Sequence, residues 1–273
     1  MKTILHTVFL LLVLMGGSRL WAQSDTLMPI RKFVQICSGY RQLPVELEMD
    51  IRGSSNLVLS AADTAQLEVR AVLCEKGTYM TMGGMEQLAN DSFLLVVNPK
   101  TRRMLLYPNH QSVAARLQLL GRQMQDSSVP QLADRYLVKP MKKLRDTGVI
   151  SLESRASVEF TSVPIAQLQV SYEPVTERPY AITMVERRLV PVTDSIYRRF
   201  LGRPEWIGKT VSVNDSSFFL IREETRVIHF RKIEHKPVTD PPVRISDRIA
   251  ADLTGVYRPV SGFASFRLIK QAQ

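Results

Sequence analysis

The chain has 273 residues, with 36 Lys and Arg against 26 Asp and Glu for a formal charge of +10, and 45% of its residues are apolar and 23% charged, which excludes a low-complexity or disordered chain. The positive balance favours anionic partners such as lipid headgroups or phosphates. The basic residues are scattered, with short pairs at Arg187-Arg188 and Arg198-Arg199 and no patch interleaved with aromatics, so nucleic acid is not an expected partner.

Residues 1 to 22 read as a secretory signal peptide. Lys2 supplies the positive start, Ile4 to Met15 an apolar run, and Gly16 to Ala22 a less apolar stretch with small residues. Cleavage is expected near Ala22. The apolar run is about a dozen residues where a bilayer span needs roughly 20, so no transmembrane helix is expected. The first cysteine is Cys37, well past the cleavage point, and a lipidated mature chain is not expected. Removing 22 of the 273 residues leaves 251, and the loss of Lys2 and Arg19 leaves a charge of +8.

Residues 28 to 40, MPIRKFVQICSGY, place Ile30, Val34 and Cys37 on one helical face beside Phe33 and Ile36, and predict a short amphipathic helix. The period then changes. Val45, Leu47, Met49 and Ile51 alternate with polar residues, as do Leu67, Val69, Ala71 and Leu73, the mark of half-buried antiparallel strands. Further strands are predicted at 77 to 82, 92 to 98 and 103 to 107, joined by turns at Gly83-Gly84, Asn90-Asp91 and Asn98-Pro99.

Residues 112 to 125 and 130 to 145 lose the alternation and predict two helices, or one interrupted at Pro130. Strands are predicted again at 149 to 161, 165 to 173, 179 to 190, 210 to 213, 217 to 222 and 225 to 235. The last segment, 236 to 273, is expected as an extended linker, a short turn of helix near 246 to 253 and a strand near Phe266. Both Phe93-Leu94-Leu95-Val96 and Phe218-Phe219-Leu220-Ile221 put apolar residues at successive positions. Both faces of those strands are therefore expected to be dry, as when a sheet curls around helices or an apolar guest.

Catalytic patterns are missing from the sequence. It contains no H-E-x-x-H string for zinc and no G-x-S-x-G elbow. The stretch from Gly202 to Thr210 mimics a phosphate loop but has five residues between its glycines where four are needed, and a strand is predicted after it. It reads as a turn. Glu223 and Glu224 read as surface charges on opposite strand faces, and His229 and His235 as a solvated edge. No catalytic residue, metal or cofactor is expected. Two cysteines, Cys37 and Cys74, allow one disulfide in an oxidising compartment or two buried free thiols.

Residues 77 to 107, GTYMTMGGMEQLANDSFLLVVNPKTRRMLLY, and residues 167 to 186, QLQVSYEPVTERPYAITMVE, resemble the LolA/LolB superfamily of lipoprotein carriers and receptors. The first has a strand, a short segment with Gly, an acid, Leu and Asn, and a hairpin around Asn-Pro-Lys-Thr. The resemblance implies an α+β fold, a curved antiparallel half-barrel wrapped over a few helices, spanning 23 to 235. Residues 236 to 273 have no counterpart in the family and are expected as an extension packing on the same domain. The resemblance also implies a periplasmic, non-enzymatic, monomeric carrier of an apolar or lipid-linked ligand. The strands with apolar residues on both faces make Met80, Met82, Leu94, Val96, Leu105, Met184 and Phe219 the candidate pocket residues. Anionic lipid headgroups or an envelope protein are the other partners expected. The alternative is an interaction subunit of a cell-envelope assembly with no small ligand.

Overall fold

The computed structural model describes residues 27–39, 43–108, 128–139, 142–144, 146–214, 216–237 and 239–270. The signal segment and the helix expected at 112 to 125 lie outside the described residues.

Helix α1 (Met28–Gly39) forms where the sequence places it. Ile30, Phe33, Val34, Ile36 and Cys37 are all buried, and Pro29 sits in the first turn, where its missing N–H leaves no hydrogen bond unmade. A meander follows: β1 (Val45–Ser55), β2 (Gln66–Cys74), β3 (Gly77–Met82), β4 (Met85–Ala89), β5 (Phe93–Asn98) and β6 (Arg103–Pro108), each antiparallel to the one before. Gly83 and Gly84 both adopt positive φ, 57° and 82°, in the two-residue turn that joins β3 to β4. Strand β4 was not anticipated. Its MEQLA run is short and lacks β-branched residues, so pairing with β3 and β5, not propensity, makes it a strand.

Helix α2 (Ser128–Arg135) carries Pro130 within its first turn and ends before the expected limit at 145. Residues 136 to 145, expected as helix, contain strands β7 (Tyr136–Val138) and β8 (Lys142–Leu144). The reason is period 2: Tyr136 and Val138 pack against the core while Leu137 is exposed, and β7 pairs with β9 (Thr147–Ser154). The strand expected over 149 to 161 stops at Ser154.

Next come β10 (Ala166–Tyr172), β11 (Pro179–Val192), an unanticipated helix α3 (Asp194–Phe200), β12 (Thr210–Val213) and β13 (Ser217–Glu234). The two strands expected at 217 to 222 and 225 to 235 are one 18-residue strand. The C-terminal stretch differs from expectation. The turn of helix expected near 246 to 253 is a 3-10 turn at Ile245–Asp247, followed by a hairpin of β14 (Ile249–Ala251) and β15 (Tyr257–Pro259) and a second 3-10 turn at Ser261–Phe263. Strand β16 (Arg267–Lys270) then runs parallel to β6.

Fourteen of the sixteen described strands form one sheet in the order β16-β6-β5-β4-β3-β2-β1-β13-β11-β10-β9-β7, with β12 added to β13 and β8 to β9, while β14 and β15 pair with each other. The large sheet is curved, antiparallel apart from β16, and not closed into a barrel. Helices α1 and α2 cover one face at the β9, β10, β11 and β13 end, where Ile150, Leu152, Val170, Tyr172, Ile182 and Phe230 meet α1. The C-terminal stretch covers the opposite face at the other end. There Leu88, Leu95, Val97, Met104 and Leu106 are packed beneath Ile245, Ile249, Tyr257, Phe263 and Phe266.

Candidate functional site

Strand register decides which apolar side chains share a surface. Leu47 of β1 stands opposite Ala71, Ala71 opposite Met80, Met80 opposite Gln87, Gln87 opposite Val96 and Val96 opposite Leu105. The next rows place Met49, Val69 and Met82 together on that face, and Ala89 beside Leu94. Met80, Met82, Leu94, Val96 and Leu105 therefore lie on one face, the face that carries α1 at its far end. Met184 lies on it as well, paired with Leu168 and packed against the core beneath α1. Phe219 does not share it. That ring points to the other side of β13 and packs with Val158, Val211 and Ile221.

The two sides of β4 to β6 differ in dryness. Leu88, Leu95, Val97, Met104 and Leu106 are 0 to 2% exposed, sealed by the C-terminal stretch. Met80, Met82, Leu94, Val96 and Leu105 are only half-buried, and Met85 at the turn is 37% exposed. Three methionines line this surface, and Met adapts its shape to irregular partners better than branched residues do. Met104, one residue before Leu105 in β6, is instead sealed on the opposite face.

Beyond Ile51 and Ile228 the helix-bearing face turns polar. Arg222 is 5% exposed and donates from Nη2 to Asp63 Oδ1 at 2.6 Å, while its Nη1 lies 3.2 Å from Glu224. Arg188 reaches Glu224 at 3.0 Å. Asp63 sits in a 3-10 turn (Ala61–Thr64) laid over the end of β1. Backbone N–H groups of Leu59 and Ser60 hold its carboxyl below the ordinary value, with the Arg222 charge adding to them and burial opposing them. A cavity of about 350 Å³ opens here, lined by Arg188, Arg222, Arg226, Asp63 and Glu224 among others. Ionised groups of this kind orient a polar ligand. This pair was invisible in the sequence.

A second cavity, about 450 Å³, lies on the opposite face between β3, β4 and the C-terminal stretch, lined in part by Lys76, Asn90, Phe93, Asp240, Arg244 and Tyr257. Asn90 Oδ1 accepts from the N–H groups of Ser92 and Phe93 at 2.9 and 2.8 Å, the local turn expected for Asn-Asp-Ser.

Cys37 and Cys74 are both buried and are not joined in a disulfide. Cys37 belongs to the core under α1, whereas Cys74 ends β2 on the opposite face and its Sγ donates to the Gly77 carbonyl at 3.1 Å. The sheet stands between them, so the bridge that the count allowed is not formed. Glu223 and Glu224 do point to opposite faces, but each is engaged, Glu223 by Arg187 at 2.7 Å and Glu224 by Arg188 and Arg222. His229 is exposed on β13, and a ring nitrogen of His235 lies 3.3 Å from the Pro44 carbonyl. The Gly202 to Thr210 stretch is a turn that leads into β12, with Gly202 and Gly208 at positive φ.

Among the described residues no helix is long and apolar enough to cross a membrane. No protein-family model matches the chain, and no curated protein matches it. The chain is similar to the crystal structure of a LolA superfamily protein from Nitrosomonas europaea, at 9% identity and a TM-score of 0.25, over 75% of this chain and 92% of that one. It is also similar to that of a putative outer membrane lipoprotein-sorting protein domain from Vibrio parahaemolyticus, at 8% identity and a TM-score of 0.27, over 78% and 94%.

Proposed function

We propose that this protein is an exported, carrier-like binding protein that shelters an apolar or lipid-linked group on the helix-bearing face of its sheet, against Met80, Met82, Leu94, Val96 and Leu105. One observation supports it above the others. Strands β5 and β6 are sealed to within 2% on one side, at Leu95, Val97, Met104 and Leu106, and half-open on the other, at Leu94, Val96 and Leu105. An apolar surface left half-open next to a core costs about 25 cal/mol for each Å² that stays wet, a cost that a guest removes. The chain's positive charge suits an anionic lipid as the source of that guest. The test is detergent-free purification of the protein from the cell envelope, solvent extraction and mass spectrometry of the extract. Lipid or lipid-linked material in stoichiometric amount is expected; a protein recovered free of lipid that also takes none up from vesicles refutes the assignment.

A further inference from the structure

Strands β11 and β13 outrun their neighbours. Pairing of β10 with β11 ends at Glu186 and that of β1 with β13 at Glu224, and past those points only β11, β12 and β13 continue. In this three-stranded tongue a short turn joins β12 to β13, but β11 and β12 are not joined by the two to five residues of a hairpin. Between Val192 and Thr210 it carries α3 and a 3-10 turn at Pro204–Trp206.

The insert is built, not slack. Thr193 caps α3, accepting from the Ile196 N–H at 3.4 Å, and Arg198 bonds Asp194 one turn earlier at 2.8 Å. The Tyr197 ring packs on Phe218 with centroids 4.9 Å apart, and Phe200 on Trp206 at 4.5 Å. Trp206 is 5% exposed. Lys209 N–H donates to the Trp206 carbonyl at 2.9 Å and Ile221 N–H to the Lys209 carbonyl at 2.7 Å, tying the knob to β13.

Yet this ordered knob leaves Ile196 40%, Leu201 54% and Ile207 76% exposed. Arg198, Arg199 and Arg203 are exposed around them, with Arg203 also stacked over the Phe200 ring at 5.5 Å. Residues 194 to 209 hold four basic side chains against two acidic ones. An aromatic core that braces large aliphatic tips outward amid guanidinium groups has the chemistry of an interfacial anchor. The tips enter the acyl boundary while the arginines stay with the phosphates.

We propose that this knob at the end of the β11–β13 tongue docks the protein on an anionic lipid bilayer. Aliphatic tips standing apart on one projecting element suit lipid better than a protein groove, and the positive charge of the chain, +8 without residues 1 to 22, points the same way. The test is cosedimentation of the purified protein with vesicles of phosphatidylcholine and phosphatidylglycerol, compared with phosphatidylcholine alone. Preference for the mixed vesicles, weakened by salt, is expected. Leu201→Ser with Ile207→Ser is expected to lower that binding about tenfold or more, and Arg199→Ala with Arg203→Ala by about fivefold per arginine. Val175→Ser, on another loop at 89% exposure, is the control and keeps full binding. Equal binding to both vesicle types, absence of binding, undiminished binding by the Leu201→Ser, Ile207→Ser variant, or an equal loss in the Val175→Ser control overturns the proposal. Vesicle binding is read with no acyl guest bound, so this proposal stands or falls apart from the carrier assignment.

Discussion

Arg222 and Asp63 are 159 positions apart in the chain and meet at 2.6 Å. A guanidinium at 5% exposure needs a carboxylate partner, and the register of β13 with β1, together with the 3-10 turn over the end of β1, supplies one. No spacing rule connects residues so distant, so this part of the molecule could not be read from the sequence, whereas the helical face of Ile30, Phe33, Val34 and Cys37 could. Asp63 is not alone in being held low. The Arg231 guanidinium lowers the Glu68 carboxyl and the Lys236 ammonium lowers that of Glu234. Carboxyls whose folded pKa lies below the unfolded one add stability that is fully present above the unfolded value, 3.8 for Asp63, and disappears as pH falls through the folded value. Urea unfolding is expected to give equal midpoints between about pH 7 and pH 5 and a clear fall by about pH 3. A midpoint at pH 3 equal to that at pH 7 contradicts this.

At the scale of elements, alternation was enough for β1 and β2, and apolar runs bounded by turn residues were enough for β3, β5 and β6. Pattern failed where pairing overrides it: in β4, in the short β7 that replaces expected helix, and in α3, seven residues too few for a helical period to stand out. The C-terminal stretch was the least legible. Its apolar residues, Val243, Ile245, Ile249, Tyr257, Phe263 and Phe266, are spaced for no regular element. They make sense as a cover laid over β4, β5 and β6, pinned by Arg248 to Glu86 at 2.8 Å and by β16 on β6. Five side chains depend on that cover, at about 1.5–3 kcal/mol each, which is of the order of a domain's whole stability, about 5–15 kcal/mol. Truncation after Lys236 is therefore expected to give an aggregating, dye-binding protein with no cooperative thermal unfolding. A truncated chain with an unchanged melting midpoint contradicts the role of the stretch as cover.

Over the whole molecule, the sheet has two unlike faces, and this decides how the candidate site is read. The run Phe93 to Val97 showed that both sides of β5 are apolar, but not which side a guest meets. The answer depends on the C-terminal cover, which occupies one side and leaves the other. Phe219 shows the same limit in reverse: its strand parity, set by pairing with β11 and β12, sends the ring to the opposite face. Val96 and Val97 are thus neighbours in one strand with opposite duties, one half-open and one 0% exposed. The most direct measurement is titration of a fluorescent acyl-chain probe into the native protein, the Val96→Asp variant and the Val97→Asp variant, each checked by thermal unfolding. The expected result is saturable binding by the native protein, a folded Val96→Asp variant weakened about tenfold or more, and a Val97→Asp variant that does not fold. Native-strength binding by a folded Val96→Asp variant, or no binding by the native protein, contradicts the assignment of that face.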